Sequence, residues 1–211
     1  MLFRSTGIET LVKETGIINN NVRLEIGEDH KGNFTWILFW VKSHYPDKSI
    51  YEEGVKTVTS RVTRDNPHAK IYRRQFVEDI NQIKQETGAY EVILVKENGI
   101  ITEGSRSNLF FIADDKLYAA SEKDVLMGIT RQKLIALLST FSIELIEKDI
   151  PLDTISRFEA CFLTGTSIHL LPVNTIDGHH YKSADHNLYK KLELAFEKIV
   201  KDDLEHTRRQ Y

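Results

Sequence analysis

A chain of 211 residues, 41% apolar and 28% charged, has the composition of a globular protein with room for one large domain or two small ones. Its 28 Lys and Arg stand against 31 Asp and Glu, a net charge of −3, so there is no basic excess to neutralise a phosphate backbone and no nucleic acid is expected as a partner. The densest apolar run, residues 34–41, falls far short of the roughly 20 residues a membrane-spanning helix needs, no leader pattern precedes it, and no membrane partner is expected.

In chain order, residues 8–13 read as the end of a helix stopped at Gly16. Residues 21–26 alternate polar and apolar as a half-buried strand. Residues 34–41, with two Trp and two Phe, read as a strand buried on both faces. After the Pro46-Asp47 loop, residues 55–59 are β-branched enough for a third strand. Phe76, Ile80 and Ile83 recur at helical spacing and predict a helix from near Lys70 to Gly88.

Strands then dominate. Residues 91–96 and 100–103 flank Asn98-Gly99, a tight-hairpin pair, and residues 108–112 and 116–119 flank Asp114-Asp115. Gly128 opens a helix with Leu134, Leu137 and Leu138 on one face; strands follow at 143–148 and 160–163, the second running on through 164–167 to Leu170-Leu171-Pro172-Val173. Leu188, Leu192, Phe196 and Ile199 mark a last amphipathic helix before a charged tail, 202–211, expected to fray. The chain thus reads as mixed α/β, with a domain boundary in the Pro- and Asp-bearing stretch 64–67.

Four segments hold polar or small residues where packing alone does not ask for them. Lys70 follows the Asn66-Pro67 turn; a lysine becomes a nucleophile toward carbonyls when desolvated or set beside another cation, and Arg73 and Arg74 are at hand, although most lysines are solvated surface groups. Residues 102–108 (Thr-Glu-Gly-Ser-Arg-Ser-Asn) place Glu103 and three polar side chains between two strands, the makings of a polar ligand site or of an ordinary hairpin. Gly128-Ile129-Thr130 offers backbone N–H groups and the positive end of a helix dipole to an anion, while Thr130 equally suits a helix cap. Thr164-Gly165-Thr166-Ser167 ends a strand with three hydroxyls and a glycine, suited to a phosphate or to a polar turn. His179-His180 has no Cys or further His at ligand spacing, so no metal site is expected. Cys161, alone and inside an apolar run, reads as a core residue, and its solitude fits a reducing, cytoplasmic compartment.

Taken together and in this order, the four segments resemble the class IV aminotransferases, the fold type IV enzymes that use pyridoxal 5′-phosphate. Residues 66–70 (Asn-Pro-His-Ala-Lys) look like the approach to the family's Schiff-base lysine, and Glu103 follows Lys70 by 33 residues. Residues 99–110 are similar to the family's most recognisable signature, and 128–131 and 162–167 to its phosphate turns. The resemblance implies a mixed α/β, fold type IV architecture with a shortened N-terminal domain, 1–63, and a cofactor-binding domain, 64–211. It assigns Lys70 as the covalent and proton-carrying residue and Glu103 as the partner of the ring nitrogen. It places Ile129, Thr130, Thr166 and Ser167 around the phosphate, with Ser107 and Asn108 beside the cofactor and Asn108 holding the turn. Lys56, in Val-Lys-Thr, competes for the lysine role, but its 47-residue separation from Glu103 suits the family less well.

The family's His-x-x-Arg-Leu helix is matched only by its tail, with Met1 where the phosphate-gripping arginine belongs, and Arg73-Arg74-Gln75 departs from the pattern after the lysine. The implied activity is amino transfer between an amino acid and a 2-oxo acid in a homodimer. Aminodeoxychorismate lyase and a truncated, non-catalytic paralogue are the alternatives.

Overall fold

The computed structural model describes residues 2–18, 20–42, 45–62 and 71–210, so Lys70 and its turn lie outside the described residues. The chain forms two compact units, Met1–Tyr45 and Pro46–Tyr211. The division falls before the boundary read from composition at 63/64. The reason is that residues 55–60, assigned by sequence to the first domain, are paired on both sides within the large sheet of the second unit.

In the first unit, helix α1 (Leu2–Thr15) ends where Gly16 takes a left-handed φ of 69° and its N–H closes on Val12. Strands β1 (Asn21–Glu28) and β2 (Phe34–Val41) form an antiparallel ribbon in register from Asn21 against Val41 to Glu28 against Phe34. The Trp40 indole N–H donates to Thr15 Oγ1 at 2.9 Å and ties helix to ribbon. The expectation that β2 is buried on both faces does not hold: Phe34 is 70% and Ile37 57% exposed. A two-stranded ribbon under one helix has too little partner surface within its unit to cover both faces.

The second unit starts with α2 (Lys48–Glu53) and β3 (Val55–Ser60). Helix α3 (Arg74–Thr87) begins four residues later than its spacing suggests, and Gly88 caps it with φ 67°. Strands β4 (Glu91–Val95), β5 (Ile100–Gly104), β6 (Asn108–Ala113) and β7 (Lys116–Ala119) follow as two hairpins, the second turning through Asp114 and Asp115 at φ 51° and 56°. Next come α4 (Ile129–Thr140), the short β8 (Leu145–Glu147) and β9 (Ile150–Pro151), then β10 (Ala160–Gly165), β11 (His169–Ile176), β12 (His179–His180) and α5 (Asn187–Gln210). The tail expected to fray is therefore helical to Gln210, with Asp203 paired to Lys133 of α4 at 2.7 Å.

Nine strands of the ten-stranded sheet run in the order β8-β7-β6-β10-β11-β3-β4-β5-β9, and β12 pairs with β11. The pairs β11–β3, β3–β4 and β7–β8 are parallel and the rest antiparallel. Alternate residues of the central strands feed two cores: Leu109, Phe111, Cys161 and Leu163 on one side, Phe110, Ile112 and Phe162 on the other. Leu134 and Leu138 of α4 and Leu192 and Phe196 of α5 close the second side, and Ile80 of α3 covers Val92 and Leu94. Burial on both faces explains why β4 and β6 read as continuous apolar runs. Cys161 is fully buried, which pushes its thiol far above the ordinary range and leaves it inert.

Candidate active site

Glu103 is the penultimate residue of β5 and only 3% exposed. Burying a carboxylate in a protein interior is costly unless donors hold it. Two do so at the same oxygen: the Leu126 backbone N–H at 2.9 Å and the Asn108 amide at 3.1 Å, both to Oε2. The Asn108 amide also donates to the Leu126 carbonyl at 2.8 Å, so one side chain links β5, β6 and the segment entering α4.

That segment ends at Gly128, the N-cap of α4, where among the described residues no side chain caps the helix. A Cβ at 128 would stand 2.6 Å from Asn108 Oδ1, so glycine is required for the helix end to approach this closely. Ile129 is exposed and Thr130 buried at the first turn, where the orphan N–H groups and the helix dipole favour an anion.

On the other side of β6, Asn108 pairs in register with Thr164 of β10. Thr164 is 1% exposed, and its Oγ1 has no hydrogen-bond partner among the described residues. The strand then turns through Thr166 and Ser167. The Tyr51 hydroxyl holds the turn by donating to the Ile168 carbonyl at 3.0 Å, and burial pushes that phenol up to about 12. A Cβ at Gly165 would lie 3.9 Å from the Arg106 carbonyl, which brings this turn beside the loop after β5. The structure thus gathers Glu103, Ser107, Asn108, the start of α4 and the end of β10 at one end of β5, β6 and β10.

Lys56 is placed differently. Its ammonium donates to the Thr87 carbonyl at 2.6 Å at the exposed end of α3. The Ser107 hydroxyl faces Glu91, donating to Oε2 at 3.2 Å. By sequence alone Glu91 is an ordinary strand residue, yet it is 4% exposed and gathers the whole loop 105–107. A carboxylate heading a four-residue apolar run, with Ser-x-Ser 14 residues on, is the signal the sequence offers for it. Arg131, one residue into α4 from Thr130, is 1% exposed, paired with Glu147 and stacked over Phe110 with 5.2 Å to the ring centre. The stretch 128–131 contains it, but nothing in the sequence assigns it this buried place. No group of three or more His, Cys, Asp or Glu among the described residues is arranged to hold a metal ion. No helix among them is long and apolar enough to cross a membrane.

Comparison with known proteins shows this to be the fold of the fold type IV aminotransferases. The family model for amino-transferase class IV matches residues 4–176, and the chain belongs to that family. It is 26% identical over 171 residues to the branched-chain-amino-acid aminotransferase of Pseudomonas aeruginosa, covering 78% of this chain and 56% of that protein. The chain spans about half the length of the curated relatives it matches.

Among solved structures it resembles a branched-chain aminotransferase of Thermotoga maritima described as putative, with TM-score 0.72 and 26% identity over 91% of this chain and 70% of the other. A branched-chain amino acid aminotransferase of T.th., solved with pyridoxamine 5′-phosphate, shares the fold at TM-score 0.75 and 23% identity over 88% of this chain and 66% of that one.

Proposed function

We propose that this chain binds pyridoxal 5′-phosphate and acts as an aminotransferase, moving an amino group between an amino acid and a 2-oxo acid. The observation that carries the reading is the Glu103 carboxylate, buried with two donors on one oxygen, beside the uncapped start of α4.

The residues present fit the cofactor. The buried Thr164 hydroxyl has no partner among the described residues, and Thr164 stands in register with Asn108. The α4 N–H groups suit a phosphate. Ile129 and Thr130 would hold it from the helix, and Thr166 and Ser167 from the turn after β10. Pyridoxal phosphate, when bound, supplies an electron sink for the carbanion at the substrate α-carbon.

Every other task belongs to the chain. Glu103, shielded from water and held by two donors, would hold a proton on the ring nitrogen. Asn108, with its amide committed to Glu103 and Leu126, fixes that carboxylate rather than the ligand. Ser107 reinforces the same loop through Glu91. Lys70, by its motif and its spacing to Glu103, is the residue that would bond the cofactor and carry the proton to and from the α-carbon. A homodimer in the cytoplasm is part of the same reading. The names of the relatives make leucine, isoleucine and valine the first amino donors to try.

The test is to mix the purified protein with pyridoxal phosphate, reduce with borohydride and map the modified peptide. Label at Lys70 is expected. Label at Lys56 would move the role, and no labelled lysine would end the reading. Amino transfer from a panel of L- and D-amino acids, measured beside pyruvate release from aminodeoxychorismate, separates the aminotransferase from the lyase. A labelled protein silent in both assays is the non-catalytic paralogue.

A further inference from the structure

Glu91 heads β4, opposite Thr57 of β3, and its carboxylate accepts four hydrogen bonds. Oε1 takes the Val92 N–H at 2.9 Å and the Ser105 hydroxyl at 2.5 Å. Oε2 takes the Arg106 N–H at 3.3 Å and the Ser107 hydroxyl at 3.2 Å. Three of the four donors come from one short loop, residues 104–107. That loop is closed on itself by the Gly104 N–H to the Ser107 carbonyl at 2.8 Å, and pinned to β4 by the Ser105 N–H to the Val92 carbonyl at 2.8 Å. The wrap is tight. A Cβ on Gly104 would lie 2.2 Å from Ser107 Oγ and 3.1 Å from Glu91 Cγ.

The two residues bounding this loop are Glu103 and Asn108, whose side chains bond to each other. Whatever sets the loop's shape therefore sets the separation of that pair. An anion with both oxygens doubly occupied fixes donors more firmly than neutral groups do, because charge-assisted hydrogen bonds are shorter and stronger.

We infer that Glu91 is a positioning residue: by clamping loop 104–107 it holds the Glu103 carboxylate in register with Asn108 and the Leu126 N–H, and so at the place where a cationic ring nitrogen is met. This rests on the proposed function above. It adds that the buried acid serving the cofactor is itself aimed by a second buried acid, one strand away, that touches no ligand.

The variant Glu91→Gln keeps the size but offers an amide N–H₂ where the loop presents donors. Two readouts test it, pyridoxal phosphate titration and amide hydrogen exchange of the cofactor-free protein. In the Glu91→Gln protein the Leu126 and Arg106 amides are expected to exchange about tenfold faster, with α5 amides unchanged. The apparent Kd for pyridoxal phosphate is expected to rise about tenfold. In a Glu103→Gln background, Glu91→Gln should change the Kd less than about twofold, since the group it aims is already gone.

Uniformly faster exchange throughout the chain, or losses from the two substitutions that multiply, would mean a merely structural Glu91 and overturn the proposal. If Glu91→Gln does not fold, Ser105→Ala removes the 2.5 Å bond to Glu91, and it is expected to raise Leu126 exchange and Kd in the same direction; no change would overturn the proposal. If the unmodified protein does not bind pyridoxal phosphate, the cofactor reading fails, and Leu126 exchange by itself decides whether Glu91 aims Glu103.

Discussion

Asn108 reaches across from β6 to place its amide 3.1 Å from Glu103 Oε2, and the same nitrogen also serves the Leu126 carbonyl at 2.8 Å. One residue thus satisfies a buried carboxylate and anchors the segment that leads into α4. Asn108→Ala removes both bonds and leaves buried acceptors short of a donor. A loss of about 1–3 kcal/mol in denaturant unfolding is expected, with weaker pyridoxal phosphate binding. Asn108→Asp should be worse in both measurements, because it sets a second carboxyl against Glu103.

Gly128 is required by the same residue. Its substitution to Ala drives a methyl group to 2.6 Å from Asn108 Oδ1, whose amide is already pinned, so the start of α4 must back away. The expected cost is about 1–3 kcal/mol, typical of overpacking. Cofactor affinity should fall with it. Made in an Asn108→Ala background, Gly128→Ala should cost clearly less, a coupling that a double-mutant cycle of unfolding free energies measures.

Arg131 is a cation with 1% side-chain exposure whose carboxylate partner, Glu147, is 35% exposed. Burial pushes the guanidinium down from its ordinary range while Glu147 lifts it, so removing Glu147 strands the charge. Glu147→Ala is expected to destabilise by about 2 kcal/mol, below the roughly 3–5 kcal/mol of a fully enclosed pair because water still reaches Glu147. Replacing the cation itself, Arg131→Met, should cost less, since the side chain lies on Phe110 and an apolar group fits that surface. The opposite ranking in thermal melts would show that the pair is a net stabiliser.

Glu159 titrates below its usual 4.5, first because it accepts the Asp114 N–H at 3.0 Å and then because it faces His186 at 3.1 Å. A depressed carboxylate stabilises the fold at pH above its unfolded value, and the gain is lost as pH falls through the lower, folded value. The stability difference between the natural protein and Glu159→Gln is therefore expected to shrink as pH falls below about 4.5. Denaturant midpoints measured from neutral pH down to about 3 check it. A difference that grows on acidification would reverse the sign assigned here.

How much of the fold is legible in the sequence depends on the range of the forces involved. Local rules find the turns: Asn98-Gly99, Asp114-Asp115 and Gly88 stand where the chain adopts positive φ. Periodicity finds α3 and α4, because their apolar stripes face cores within the same unit. It fails at β2, where apolar composition suggests burial; composition records what a strand could cover, not what its unit supplies to cover it. It fails again at residues 202–210, where charge suggests fraying although a solvated helix tolerates charge on its open face.

At the site, the motif locates Glu103, Asn108 and Gly128, since each lies within a short stretch of characteristic residues. It misses Glu91, whose role exists only when β4 folds against a loop 14 to 16 residues away. Arg131 escapes for the same reason: nothing in Thr-Arg-Gln announces that the guanidinium turns inward.

The position of β3 decides when this fold can be finished. Thr57 pairs with Ile176 on one side and Glu91 on the other, and its hydroxyl donates to the carbonyl of Thr175, 118 residues further along the chain. The hairpins β4–β5 and β6–β7 close over a few residues and can form as soon as they are made. The parallel β3–β11 pair must wait until residue 176 has been synthesised, and closing so distant a contact is slow. During synthesis, then, β3 stands with one open edge until β11 is made, and that pairing joins the two halves of the sheet.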